Sequence, residues 1–204
     1  MNLDLTNKNA IVCGSTQGIG KAIALELASL GANVTLAARN EEKLKEAVKE
    51  LDTSKGQKHD YFVADFASPG DVALKMQVYL SQQPTVHILI NNTGGPAGGP
   101  IADAKLEEFT NAFNMHLINN HTLAQAVIPG MKEAKYGRII NIISTSVKQP
   151  LHGLGVSNTI RGAVASWAKT MANELGQFGI TVNNVLPGAT RTGRLETIIE
   201  NKAK

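Results

Sequence analysis

The stretch Cys13-Gly14-Ser15-Thr16-Gln17-Gly18-Ile19-Gly20 decides how this chain is read. An apolar run, Ala10-Ile11-Val12, stands before it, and Ile23, Leu25, Leu27 and Leu30 recur at helical spacing after it. Three glycines at a strand-to-helix turn let the backbone pass close to a bulky anion. The N–H groups and dipole of the following helix then favour negative charge at that place. A nucleotide diphosphate suits this chemistry. The glycines are spaced GxxxGxG rather than GxGxxG, which is a weak signal alone, so the remaining chain carries the decision.

The bulk properties narrow the field. A chain of 204 residues with 43% hydrophobic and 18% charged residues fits one globular domain, taken here as 1–204, large enough to bury a substantial core. The net charge of +3 is spread along the chain and aromatics are only 4%, which argues against nucleic acid as a partner. Cys13 is the single cysteine, so no internal disulfide can form, and its place at a strand end reads as a small buried hydrophobe. Met1-Asn2-Leu3-Asp4 lacks the basic start and apolar stretch of a secretion signal, and no apolar run reaches the roughly 18 residues of a membrane span. A cytoplasmic protein with no membrane partner is the expectation.

Short apolar runs alternate with helical periods through the whole chain. Strands are expected at 9–13, 34–38, 61–64, 86–90, 138–143 and 180–186, and helices at 18–30, 41–51, 69–83, 104–134 and 157–177. Because the strands are continuously apolar, both faces of the sheet should be covered. The fold class is therefore α/β, a Rossmann-type doubly wound parallel sheet. Ligands in such sheets bind at the carboxyl ends of the strands, where this sequence places small or polar residues six times in succession. The second strand is followed by Arg39, where an acidic residue would accept from a ribose hydroxyl. A guanidinium there suits a 2′-phosphate, which favours NADP(H) over NAD(H); a solvated Arg at a helix start is the plainer alternative. Asp65 follows the third strand, placed either to accept from an adenine amino group or to cap the next helix. The later strand ends carry Asn91-Asn92-Thr93-Gly94, then Ser144-Thr145-Ser146, then Pro187-Gly188 with Thr192.

These residues resemble the short-chain dehydrogenase/reductase family, in particular its β-ketoacyl-carrier-protein reductase-like branch, over about residues 5–195. The glycine run resembles the family's TGxxxGIG loop with Cys13 for Thr, and Asn91-Asn92-Thr93-Gly94 resembles its NNAG with Thr93 for Ala. Gly179-Ile180-Thr181-Val182-Asn183 and Pro187-Gly188 with Thr192 resemble its GI-VN and PGxxxT segments. The resemblance implies an oxidoreductase with a nicotinamide dinucleotide held by Gly14, Ser15, Gln17, Gly18, Ile19, Gly20, Arg39, Asp65, Asn91, Thr93, Gly94, Arg161, Pro187, Gly188 and Thr192. It also implies a small-molecule carbonyl or alcohol substrate and a homodimer or homotetramer packed through the 104–134 and 157–177 helices. Trp167 on the second of these helices is equally readable as core within one chain.

In the family a Ser orients the carbonyl, a Tyr protonates it, a Lys assists the Tyr and holds the ribose, and an Asn anchors a water chain. Ser144 matches the Ser; Ser157 stands at the Tyr position, Arg161 at the Lys position and His116 at the Asn position. A Ser hydroxyl is shorter and far less acidic than a Tyr, and a guanidinium does not shuttle protons, so the four candidate catalytic residues form an altered set. His116 is a candidate proton donor because imidazole titrates near neutrality, or else a hydrogen-bonded core residue. Lys148 and His152, in the loop before Ser157, read as loop residues that could also reach the site, and Asn158 as a first-turn residue of the next helix. His121, five residues from His116, lies off its helical face, so no metal site is expected. A catalytically silent nucleotide-binding sensor or scaffold of the same fold is the competing expectation. Residues 193–204 read as the start of a lid helix over the substrate, with more chain expected beyond Lys204.

Overall fold

Strands Asn9–Cys13 (β1), Asn33–Ala38 (β2), Asp60–Val63 (β3), Ile88–Asn91 (β4), Gly137–Ile142 (β5) and Ile180–Val185 (β6) form one sheet in the order β3-β2-β1-β4-β5-β6. Every neighbouring pair is parallel. The computed structural model describes residues 3–83, 85–193, 195, 196 and 199; the expected lid helix over 193–204 falls largely outside them. Helices Gly18–Ser29 (α1), Glu41–Lys49 (α2), Pro69–Gln82 (α3), Leu106–Phe113 (α4), Asn119–Glu133 (α5) and Gly155–Leu175 (α6) connect the strands.

The continuously apolar strands are explained by two cores, one on each side of the sheet. Along β1, Ile11 and Cys13 join Val72, Met76, Leu123 and Val127 on one face. Ala10 and Val12 join Ala24, Ala28, Leu44 and Ala47 on the other. Each large aliphatic side chain taken out of water contributes about 1.5–3 kcal/mol, and exposed polar residues are confined to the edge strands, at Asp60 of β3 and Thr181 and Asn183 of β6. Strand order runs outward from β1 to β3, then restarts on the opposite side of β1 with β4. That reversal opens a crevice between the carboxyl ends of β1 and β4, and it fixes where a ligand can enter the sheet.

The stretch expected as one helix over 104–134 is divided. A π-helical turn, Asn114–Ile118, separates α4 from α5, and a 3-10 turn, Ile101–Asp103, precedes α4. Inward-facing polar residues hook this segment to two strand-end loops. His116 Nδ1 lies 2.9 Å from Thr93 Oγ1, and Asn119 Nδ2 donates to the Phe66 carbonyl at 2.6 Å. Extra residues inserted in a helical turn of this kind are typical of functional sites. Trp167 on α6 is partly buried against the core and donates through Nε1 to His121 Nδ1 on α5 at 3.3 Å, so it ties two helices of the same chain.

At the opposite end of the sheet, His87 Nδ1 accepts from the Asn9 backbone N–H at 3.1 Å, which requires a neutral nitrogen there. Burial, with Lys8 nearby as a lesser cause, holds the His87 imidazole below its ordinary value. The unfolded chain therefore binds more protons than the folded one between the depressed value and the ordinary value of about 6.5. Stability contributed by His87 is fully present above that ordinary value and is lost as pH falls through the window. His87→Asn, whose side-chain oxygen can accept the same bond, is expected to flatten the fall in Tm between pH 7 and pH 5. Equal slopes for wild type and variant would refute this role.

Candidate active site

The glycine turn is built by steric necessity. Gly14 and Gly18 adopt φ of 58° and 56°, where L side chains are strained. A Cβ on Gly14 would lie 2.6 Å from the Asn92 carbonyl oxygen, and one on Gly20 would collide with the Gly14 carbonyl oxygen and lie 2.7 Å from Asn92 Nδ2. Asn92 fills that tight space itself, donating from Nδ2 to the carbonyls of Cys13 at 3.2 Å and Gly14 at 3.1 Å. The side chain after β4 thus closes the turn after β1, across the crevice where strand order reverses. Gly14 N–H is tied to the Ala37 carbonyl of β2 at 2.8 Å.

Above this turn lies a cleft of about 560 Å³, within the range of small-ligand sites. At its floor is the amino end of α1, which has no acidic residue in its first turn and no side-chain cap. The amino ends of α2, α3 and α4 carry acidic residues in their first turns. The N–H groups of α1 are therefore left to an incoming anion. Gly14, Gln17, Gly18 and Ile19 line the cleft as expected from the sequence, with Thr16. Ser15 is fully buried and Gly20 is packed inside α1, so both shape the turn from behind.

Arg39 lines the far end of the cleft, and Lys43 lines it too, one helical turn on in α2. The Asn40 side chain caps α2 by accepting from Lys43 N–H at 2.9 Å, which fixes where the helix begins. Glu41 and Glu42 are engaged by Lys45 at 3.3 and 3.1 Å. Asp65 also lines this end. Its carboxylate does not cap α3, which starts after Ser68; it accepts from Ala67 N–H at 3.0 Å in a local turn.

On the other flank, Thr93, Gly94 and Met115 line the cleft, and Thr192 closes over the turn, its Cγ2 3.5 Å from where a Gly18 Cβ would sit. Asn91 does not reach the cleft. It is 3% exposed and begins a ladder across the sheet, donating to Asn141 Oδ1 at 2.9 Å, while Asn141 donates to Asn184 Oδ1 at 3.0 Å. Pro187 accepts from Thr145 N–H through its carbonyl at 3.2 Å, and Gly188 lies beside Thr145, so this pair braces the β5 end.

Ser144 is half-buried just past β5 and accepts from Ser146 N–H at 3.1 Å. Arg161 reaches back from α6 and donates to the Ile142 carbonyl at 3.1 Å, which brings its guanidinium to the same strand end. Ser157 is buried in the first turn of α6 at 9% exposure, and His116 is buried at 2% behind Thr93. Lys148 and His152 are exposed loop residues, and Asn158 clasps that loop by donating to the Leu151 carbonyl at 2.8 Å. Burial pushes the Cys13 thiol up to about 12, so this cysteine is core and not nucleophile. Thr16, Lys43 and Asn92 are site residues that the sequence reading passed over. Thr16 and Asn92 stand inside the two motifs but carry no assigned role there, whereas Lys43 has no signal beyond its helical spacing from Arg39.

A family model described as short chain dehydrogenase matches residues 8–203. The protein named "Granaticin polyketide synthase putative ketoacyl reductase 1" of Streptomyces violaceoruber is 39% identical over 197 residues, covering 95% of this chain and 72% of its own length. The human protein named inactive hydroxysteroid dehydrogenase-like protein 1 is 33% identical over 87% of this chain and 54% of its own length. Among solved structures, L-sorbose reductase from Gluconobacter frateurii, complexed with NADPH and L-sorbose, superposes with a TM-score of 0.92 at 30% identity, over all of this chain and 78% of that one.

The close approach at Gly20 yields a direct test. Gly20→Ala has no room, whereas a Cβ on Gly94 would meet nothing within 4 Å. Overpacking of this kind costs about 1–3 kcal/mol, several degrees of Tm for a chain of this size. Gly20→Ala is expected to melt well below Gly94→Ala in calorimetry. Matching transitions would show that the turn relaxes freely.

Proposed function

The chain belongs to the short-chain dehydrogenase family, and from that premise we propose that it is an NADP(H)-dependent oxidoreductase interconverting a carbonyl and an alcohol. The observation that carries the reading is the single cleft uniting the uncapped end of α1 with Arg39, Lys43 and Asp65. The space kept clear at Gly14 and Gly20 fits a diphosphate approaching the backbone. Arg39 and Lys43 suit a 2′-phosphate, and the free side of the Asp65 carboxylate suits an adenine amino group. L-sorbose reductase, a solved relative complexed with NADPH, supports the same choice of cofactor.

When bound, the dinucleotide would supply or accept a hydride. The residues of the chain do the rest. Ser144 Oγ accepts from Ser146 N–H, which leaves its hydroxyl proton to donate to a substrate carbonyl. Arg161 holds a fixed positive charge at the same strand end, where it suits ribose hydroxyls and a developing oxyanion. Neither Ser157, short and buried, nor a guanidinium supplies a positioned general acid. Lack of one costs about 10²–10⁴ in rate, so slow turnover on simple carbonyls is expected. A small-molecule substrate and a homo-oligomer packed through α5 and α6 complete the proposal.

A second reading, a nucleotide-binding sensor without turnover, is favoured by the burial of Ser157 and by similarity to a relative named as inactive. Two measurements separate the readings. In a fluorescence titration, NADPH is expected to bind at least about tenfold more tightly than NADH, the worth of a charge-assisted hydrogen bond, and Arg39→Ala to erase the difference. Tighter NADH binding would overturn the cofactor assignment. Turnover on a panel of ketones and acyl thioesters, abolished by Ser144→Ala, is expected for the enzyme. Activity appearing only in Ser157→Tyr/Arg161→Lys would instead establish the sensor.

A further inference from the structure

Thr93 and His116 stand where the family resemblance places an Ala and an Asn, and in the structure they are bonded to each other. His116 is 2% exposed at the centre of the π-helical turn, and its Nδ1 lies 2.9 Å from Thr93 Oγ1. Thr93 lines the cleft, as does Met115 beside His116. Thr93 is thus the member of the pair that a ligand meets, and the imidazole stands behind its hydroxyl. A threonine on a solvent-facing turn samples several rotamers; this one is held in the rotamer that keeps its bond to a buried ring.

The sheet order says what such a hydroxyl would meet. β4 lies between β1, which carries the glycine turn, and β5, which carries Ser144. A dinucleotide with its diphosphate at the first and its reacting ring at the second must lay the intervening ribose across the end of β4, where Thr93 stands. The ribose hydroxyls both donate and accept, so they pair with Thr93 Oγ1 in either tautomer of His116.

Resting on the NADP(H) reading above, we infer that Thr93 and His116 form one positioning unit, in which His116 fixes the Thr93 hydroxyl so that it binds the ribose next to the reacting ring. His116 is then a positioning residue acting through Thr93. The π-helical turn is the backbone device that brings it into place.

Two ligands separate this role from a purely structural one: NADPH, and adenosine 2′,5′-bisphosphate, which lacks the second ribose. Thr93→Val is expected to weaken NADPH about fivefold, the worth of one neutral hydrogen bond, and to leave adenosine 2′,5′-bisphosphate unchanged. His116→Leu, which removes the ring nitrogen, should do the same. The double variant should be no weaker than the weaker single variant, and Thr93→Ser should restore NADPH affinity. Thr93→Ala replaces the Val variant if the latter fails to fold. Equal weakening of both ligands, unchanged NADPH affinity, or losses that multiply in the double variant would each overturn the unit. Wild-type protein that binds neither ligand would instead remove the NADP(H) reading, and the inference with it.

Discussion

The close packing of Gly14, Gly20 and the Asn92 side chain is the constraint on which the rest of the site depends. It sits where strand order reverses, so it joins the two halves of the sheet at their point of divergence. The Asn92 carboxamide binds two consecutive carbonyls at the end of β1, so these acceptors are already satisfied. What remains for a ligand at the cleft floor is the amino end of α1, without an acidic residue in its first turn or a side-chain cap. The anion site thus follows from which backbone groups are already satisfied. A single side chain placed on Gly14 or Gly20 would clash with Asn92.

The fold was legible because burial on both faces leaves an unambiguous mark. Ile11 and Cys13 pack to one side and Ala10 and Val12 to the other, so the strand reads as unbroken apolar sequence. Similar runs located the other strands to within two residues at each end. The 104–134 helix was legible as helix but not as an interrupted one, because a π-helical turn changes hydrogen-bond spacing without changing composition. The bonds that mark it, from His116 to Thr93 and from Asn119 to Phe66, span 23 and 53 residues and have no local trace. Asp65 illustrates a related limit. Spacing leaves a carboxylate near a helix start free to cap it or to face a ligand, and the local turn with Ala67 decides.

Within the site, positions held by backbone sterics were the readable ones. Glycines announce themselves because only glycine fits, which is why Gly14, Gly18 and Gly20 could be assigned from sequence. The motif did not distinguish residues that face the cleft from those that support it. Ser15 and Asn91 are buried behind the surface that Thr16 and Asn92 form, since adjacent positions in an extended turn point to opposite sides. Lys43 is visible only once α2 is built, because its place beside Arg39 depends on where Asn40 starts the helix.

Ser144, Ser157, Arg161 and His116, proposed above as an altered catalytic set, differ in what they touch. Ser144 and Arg161 converge on the end of β5, one through the turn that follows it and the other from α6 to the Ile142 carbonyl. Ser157 is withdrawn into the first turn of α6. His116 reaches the cleft only through Thr93. The polar groups that remain at the surface are therefore two hydroxyls on neighbouring strand ends and one permanent cation, with no acid of matched pKa among them. Such a set binds and orients a polar ligand well, because each group is locked by a backbone bond or a buried partner. On the proposed function it would transfer protons poorly, because a hydroxyl and a guanidinium both hold theirs at neutral pH.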